Sequence, residues 1–141
     1  MLEKFKIKTF GCQMNVYDSQ KISDIFYKLG YKNTCIDEEA DIYLINTCHI
    51  RDKAKQKLYS ELGKIYKIKK NRFQNSQNTI TIVAGCVAQA EGEEIFRRAP
   101  FVDIVVGSQS YQKLPNLIKK VKKKNKEKNK HFIELDFDPK S

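Results

Sequence analysis

Cysteines 12, 48 and 86 stand at the ends of three runs that read as β-strands. Phe5–Phe10 alternates apolar and basic residues and runs through Gly11 into Cys12. Asp41–Asn46 runs through Thr47 into Cys48, and Thr79–Ala84 through Gly85 into Cys86. A thiolate is a nucleophile and a soft metal ligand. Three of them at matching places suit a metal, a cluster or thiol–disulfide exchange. Structural zinc normally takes four ligands, often paired on tight loops. Here each turn gives one cysteine, and His49 adjoins Cys48, where neighbouring residues rarely point at one ion. Three thiolates suit an iron–sulfur cluster with one iron open to an outside ligand. A free cysteine is also a common small core residue. Cys35, which precedes no comparable turn, is read as structural in that sense.

The elements that must position these cysteines follow from periodicity. Ile22, Ile25, Phe26 and Leu29 form the stripe of an amphipathic helix, with Asp18 or Ser19 as its cap and Gly30 at its end. Tyr31–Ile36, which includes Cys35, reads as a short strand, and Asp37-Glu38-Glu39 as an acidic loop. Asp41–Asn46 is apolar in its middle, as in a sheet covered on both faces. Ile50, Ala54, Leu58, Leu62 and Ile65 predict a long helix whose other face carries Arg51, Lys53, Lys55 and Lys57. Lys67–Asn78 loses periodicity and reads as an exposed loop. Glu91–Arg98 is a short helix closed by Ala99-Pro100, and Asp103–Gly107 a fifth strand. Leu114, Leu117, Ile118 and Val121 mark a last helix. Lys119–Lys130 holds eight lysines and one glutamate, a pattern of solvated or disordered chain. His131–Phe137 reads as a short strand or the start of a linker.

Strands alternating with helices predict a parallel sheet with right-handed crossovers. The expected fold is α/β, a flavodoxin-like three-layer sandwich with five strands in the order 2-1-3-4-5. In that order the strands before Cys12, Cys48 and Cys86 are neighbours, and their carboxyl ends share one edge, where such sheets bind ligands. Cysteines 36 and 38 positions apart in sequence then meet in space. An FMN site is disfavoured, because the first loop has a cysteine and no Ser/Thr run to cradle a phosphate.

Gln13, Asn15, Asn46, Thr47 and Gln89 flank the cysteines. They are read either as donors to cluster sulfurs or as residues that cap turns. Gly11 and Gly85 serve tight turns. The chain has 27 basic and 17 acidic residues, a net charge of +10, which suits a polyanionic partner. The Lys119–Lys130 tract has no interleaved aromatics, so it is not read as a base-stacking surface. The first ten residues lack a leader-like apolar core, and no apolar run approaches the ~20 residues of a membrane span. A cytoplasmic protein with reduced cysteines is expected.

Three stretches carry a family resemblance. They are Thr9-Phe10-Gly11-Cys12-Gln13-Met14-Asn15-Val16-Tyr17-Asp18-Ser19, Asn46-Thr47-Cys48-His49-Ile50-Arg51-Asp52-Lys53-Ala54 and Gly85-Cys86-Val87-Ala88-Gln89-Ala90-Glu91-Gly92-Glu93. They resemble the amino-terminal domain of radical-SAM methylthiotransferases, in order and over residues 4 to 118. Arg98-Ala99-Pro100-Phe101-Val102-Asp103 with Val106-Gly107-Ser108-Gln109 adds to the likeness. Gln13-Met14-Asn15 resembles the tRNA-acting branch; the ribosomal-protein branch typically reads Gly-Cys-Pro-Lys-Asn there. The resemblance implies that Cys12, Cys48 and Cys86 ligate an auxiliary 4Fe-4S cluster. It further implies that sulfur destined for the substrate is handled at that cluster's open iron. A second 4Fe-4S cluster, on a C-x3-C-x2-C motif in a following domain, cleaves S-adenosylmethionine. The product is a methylthio group on C2 of N6-isopentenyladenosine at position 37 of tRNA, its methyl supplied by a second S-adenosylmethionine.

This chain has no C-x3-C-x2-C. Residues 1–118 are therefore expected to form the cluster-binding domain, and 119–141 a lysine-rich tail or linker toward a radical-SAM domain. Alone, the chain is expected to be an inactive monomer that contributes cluster ligands and no catalytic residue. The alternative is a stand-alone iron–sulfur or thiol-redox carrier.

Overall fold

Alternate residues of the strands enter two different cores. The computed structural model describes residues 3–10, 13–47, 52–74, 79–85, 93–107, 111–124 and 132–134. Among them are strands β1 (Lys4–Phe10), β2 (Lys32–Asn33), β3 (Ile42–Thr47), β4 (Ile80–Ala84), β5 (Ile104–Val106) and β6 (Phe132–Glu134). They form one sheet in the order β2-β1-β3-β4-β5-β6, with every neighbouring pair parallel. The helices are α1 (Gln13–Lys28), α2 (Asp52–Gln74), α3 (residues 93–98) and α4 (Leu114–Lys124).

Successive side chains of a strand point to opposite faces, and the burial follows that parity. Phe5, Ile42, Leu44, Ile80, Ile82, Ile104 and Val106 pack against Ile22 and Phe26 of α1 and Leu114, Leu117, Ile118 and Val121 of α4. Tyr43, Ile45, Val83 and Val105 pack against Leu58, Leu62 and Ile65 of α2 and Ile95 and Phe96 of α3. This is the expected three-layer α/β sandwich. Strands β3, β4 and β5 are buried from end to end, as the apolar run Asp41–Asn46 led one to expect.

The five expected strands take the order 2-1-3-4-5. A sixth, β6, joins through Ile104↔Phe132, Val105↔Ile133 and Val106↔Glu134, within the stretch His131–Phe137 that reads as strand or linker. Tyr31–Ile36 is a strand only at Lys32–Asn33, which pairs with Lys4–Phe5.

Three sequence readings are corrected. Lys67–Asn78 is not a loop throughout, since α2 continues to Gln74. The apolar stripe carries on through buried Ile68, and Arg72 is buried with it. Arg72 donates to Asp41 Oδ1 and to the Glu38 carbonyl, both at 2.6 Å, so polar composition concealed a buried helix end. Second, α1 starts at Gln13, so neither Asp18 nor Ser19 caps it. Third, Cys35 is exposed; it is no core residue, because the pairing of β2 has already ended.

Gly30 does close α1. At φ 92° it lets its own N–H reach Tyr27 O at 3.0 Å and the Tyr31 N–H reach Phe26 O at 3.0 Å. These are the two bonds of a Schellman cap, and the Phe26 and Tyr31 rings lie 6.2 Å apart beneath them.

Candidate metal centre at the carboxyl edge of the sheet

The three cysteines leave the sheet from adjacent strands. Phe10, the last residue of β1, is level with Thr47, the last of β3. Ala84, the last of β4, is level with Asn46. Cys12, Cys48 and Cys86 themselves lie outside the described residues, as do Gly11, Arg51 and Gln89. What the structure gives is the platform they grow from. Strand backbones are ~4.8 Å apart, so three chains exit the sheet within roughly 10 Å. Gln13 and Asn15 fall in the first turn of α1, just past Cys12.

Gly85 brings two of these exits together. Its φ is 107°, and its N–H donates to Val106 O at 3.2 Å. A Cβ built on it would stand 2.2 Å from the Thr47 carbonyl oxygen and 2.9 Å from Asn46 Oδ1. No side chain fits there. The glycine thus lets the chain before Cys86 lie against the chain before Cys48, as its place in a tight turn predicted, though the partner is 38 residues away.

Asn46 and Thr47 are 0% and 1% exposed. An unpaired buried amide costs a few kcal/mol, and Asn46 Nδ2 donates to Ser19 Oγ at 3.0 Å. Ser19 Oγ lies 2.6 Å from Thr9 Oγ1. Of the flanking polar residues read as donors to sulfur or as turn caps, Asn46 is thus seen engaged with α1. Ser19 and Thr9 were missed as members of the site. A hydroxyl one turn deeper in the helix carries no sequence signal beyond its place six positions after Gln13.

A second polar group lies on the α2 side, away from the edge. Lys6 and Lys64 both pair with Asp37, and Tyr43 Oη donates to Glu61 Oε1 at 3.2 Å. Burial, with the Glu61 carboxylate close by, pushes the Tyr43 hydroxyl above its ordinary value. Burial would raise the Asp37 carboxyl, but hydrogen bonds and charge from Lys6 and Lys64 outweigh it and hold it below its ordinary value. These groups join β1 to α2. No helix among the described residues is long and apolar enough to cross a membrane.

Comparison with known proteins settles the family. Residues 4–107 match the model of a family described as uncharacterized protein family UPF0004. The chain belongs to this family. Synthases named for tRNA-2-methylthio-N(6)-dimethylallyladenosine in Rickettsia typhi and Rickettsia prowazekii are each 59% identical to it over 138 residues. That of Rickettsia conorii is 58% identical over the same length. Each alignment covers 97% of this chain and 30% of the relative, so the chain spans about a third of their length. The resemblance to the amino-terminal domain of radical-SAM methylthiotransferases is borne out. The UPF0004 match ends at Gly107, just past β5, so it takes in all three strands that precede a cysteine.

Proposed function

We propose that this chain is the cluster-binding part of a cytoplasmic tRNA methylthiotransferase, with Cys12, Cys48 and Cys86 as joint ligands of an auxiliary 4Fe-4S cluster. The observation that carries this reading is the Gly85 cradle. Only a glycine admits the close approach to Thr47, and with the Phe10↔Thr47 register it draws the roots of three cysteines to one edge. The donor set fits: three thiolates leave one iron of such a cluster without a protein ligand. When bound, the cluster offers that iron as the place where sulfur bound for the substrate is handled.

The remaining work falls to this chain's own residues. Asn46 and Thr47 are buried at that edge, and Asn46 ties it to α1 through Ser19. Exposed Lys57, Lys67 and Lys70 of α2 and, on the other face of the sheet, Lys119 and Lys120 of α4 suit the phosphates of an RNA. The names of the relatives support tRNA as substrate and the 2-methylthio group at C2 of N6-isopentenyladenosine as product. S-adenosylmethionine and its own 4Fe-4S cluster then act on another part of the complete enzyme. The cluster-binding domain spans residues 1–118 in this reading, and from the segment that follows, Val121 adds to its core and β6 to its sheet, in a chain that is monomeric alone.

Anaerobic reconstitution with iron and sulfide tests this. One 4Fe-4S cluster per chain is expected, lost in Cys12→Ala, Cys48→Ala or Cys86→Ala and kept in Cys35→Ala. Retention in Cys12→Ala, or loss in Cys35→Ala, overturns the ligand set. The reduced chain with S-adenosylmethionine should release no 5′-deoxyadenosine; its detection would sink the division of labour.

A further inference from the structure

We infer that Asn46, through Ser19, sets the spacing of the three cysteine-bearing turns, a positioning role distinct from any contact with sulfur. The inference rests on reading Cys12, Cys48 and Cys86 as joint ligands. Asn46 belongs to β3, the middle strand of the three, and is 0% exposed. On one side its Nδ2 donates to Ser19 Oγ at 3.0 Å, and Ser19 Oγ meets Thr9 Oγ1 at 2.6 Å. Thr9 is three residues before Cys12 in β1. On the other side, Asn46 Oδ1 is 2.9 Å from where a Gly85 Cβ would stand. Gly85 directly precedes Cys86. One amide thus bears on the root of every cysteine turn.

Ser19 matters for a second reason. It lies in α1, whose first residue, Gln13, follows Cys12. Gly11 and Cys12 link the end of β1 to the start of α1. The Thr9–Ser19 bond fixes these two ends to each other, and the Ser19–Asn46 bond fixes both to β3. The described ladder reaches Phe10↔Thr47 and Asn46↔Ala84, and at that level the two side-chain bonds add a second tie between α1, β1 and β3.

The test measures how readily the thiols meet, with and without metal. In metal-free chain treated with diamide, intramolecular disulfides among Cys12, Cys48 and Cys86 are followed by alkylation and peptide mapping. Asn46→Ala and Ser19→Ala should each slow pairing about tenfold at a temperature where circular dichroism shows both folded. In reconstituted chain they should shorten cluster survival against a chelator about tenfold, the lower end of the effect expected for groups that orient metal ligands. Ser19→Thr, which keeps the hydroxyl, should restore both. Ile104→Val, a core change in β5, should match the wild type. The inference is overturned if Asn46→Ala and Ser19→Ala stay within twofold of wild type, or if Ile104→Val loses as much. Should Asn46→Ala not fold, part-buried Ser19→Ala decides alone. Should the wild type take up no cluster, the ligand reading fails while the pairing rates still judge Asn46.

Discussion

Among the described residues two glycines hold positive φ, and only one of them is crowded. At Gly30, φ 92°, a Cβ would meet nothing within 4 Å; at Gly85, φ 107°, it would meet the Thr47 oxygen at 2.2 Å. An L-residue in left-handed backbone costs about 1–2 kcal/mol. Gly30→Ala should lose about that much in urea unfolding. Gly85→Ala should lose more, at least about 3 kcal/mol, because strand ends must part as well as the backbone strain. It should also lower cluster uptake, which Gly30→Ala leaves intact. Equal costs at the two sites would show that the Thr47 contact has no weight. The sequence made both glycines legible as turn formers, through their neighbours. It could not reveal what faces Gly85, because Thr47 comes near only once β3 and β4 are paired. The same holds for Ser19, whose hydroxyl reads as a cap until the helix is seen to start at Gln13.

At the scale of elements, apolar stripes were the reliable signal and charged stretches the misleading one. Ile22, Phe26, Leu58, Leu62, Leu114 and Leu117 all lie buried where their spacing predicts. The end of α2 was misread because past Ile68 its buried side is polar and held by ion pairs: Lys69 donates to Asp103 Oδ2 at 2.6 Å and Arg72 to Asp41 Oδ1 at 2.6 Å. The acidic stretch read as a loop is a 3-10 turn, Asp37–Glu39, and Asp37 clamps β1 to α2 through Lys6 and Lys64. Its folded pKa lies below the ordinary 3.8, so the unfolded chain takes up its proton first. Asp37 therefore contributes stability above about pH 4, lost as pH falls through the lower folded value. Urea midpoints from about pH 5 to about pH 3 should drop in the wild type and drop less steeply in Asp37→Asn. A parallel decline in both would remove Asp37 from the acid response.

At the scale of the whole molecule, the alternation of strand and helix made the layer order and the strand order 2-1-3-4-5 legible. The sixth strand was legible only as one of two readings of His131–Phe137, strand or linker, because just three residues carry it. The sheet brings together residues far apart in the chain. Phe5 is level with Ile42, and Ile42 with Ile80, so each central pairing closes a loop of nearly forty residues. Loop-closure entropy must be met before such contacts stabilise anything, and chains dominated by non-local pairing fold in milliseconds to seconds rather than microseconds. Until β3 has paired with both β1 and β4, the three cysteine-bearing segments are not all neighbours. Refolding in iron and sulfide should therefore show helical circular dichroism recovering first and cluster absorbance lagging behind it; the reverse order would mean the metal nucleates the sheet. Time enters the site in this way: a nascent chain offers iron three scattered thiols, and maturation has to wait for the last central strand to arrive.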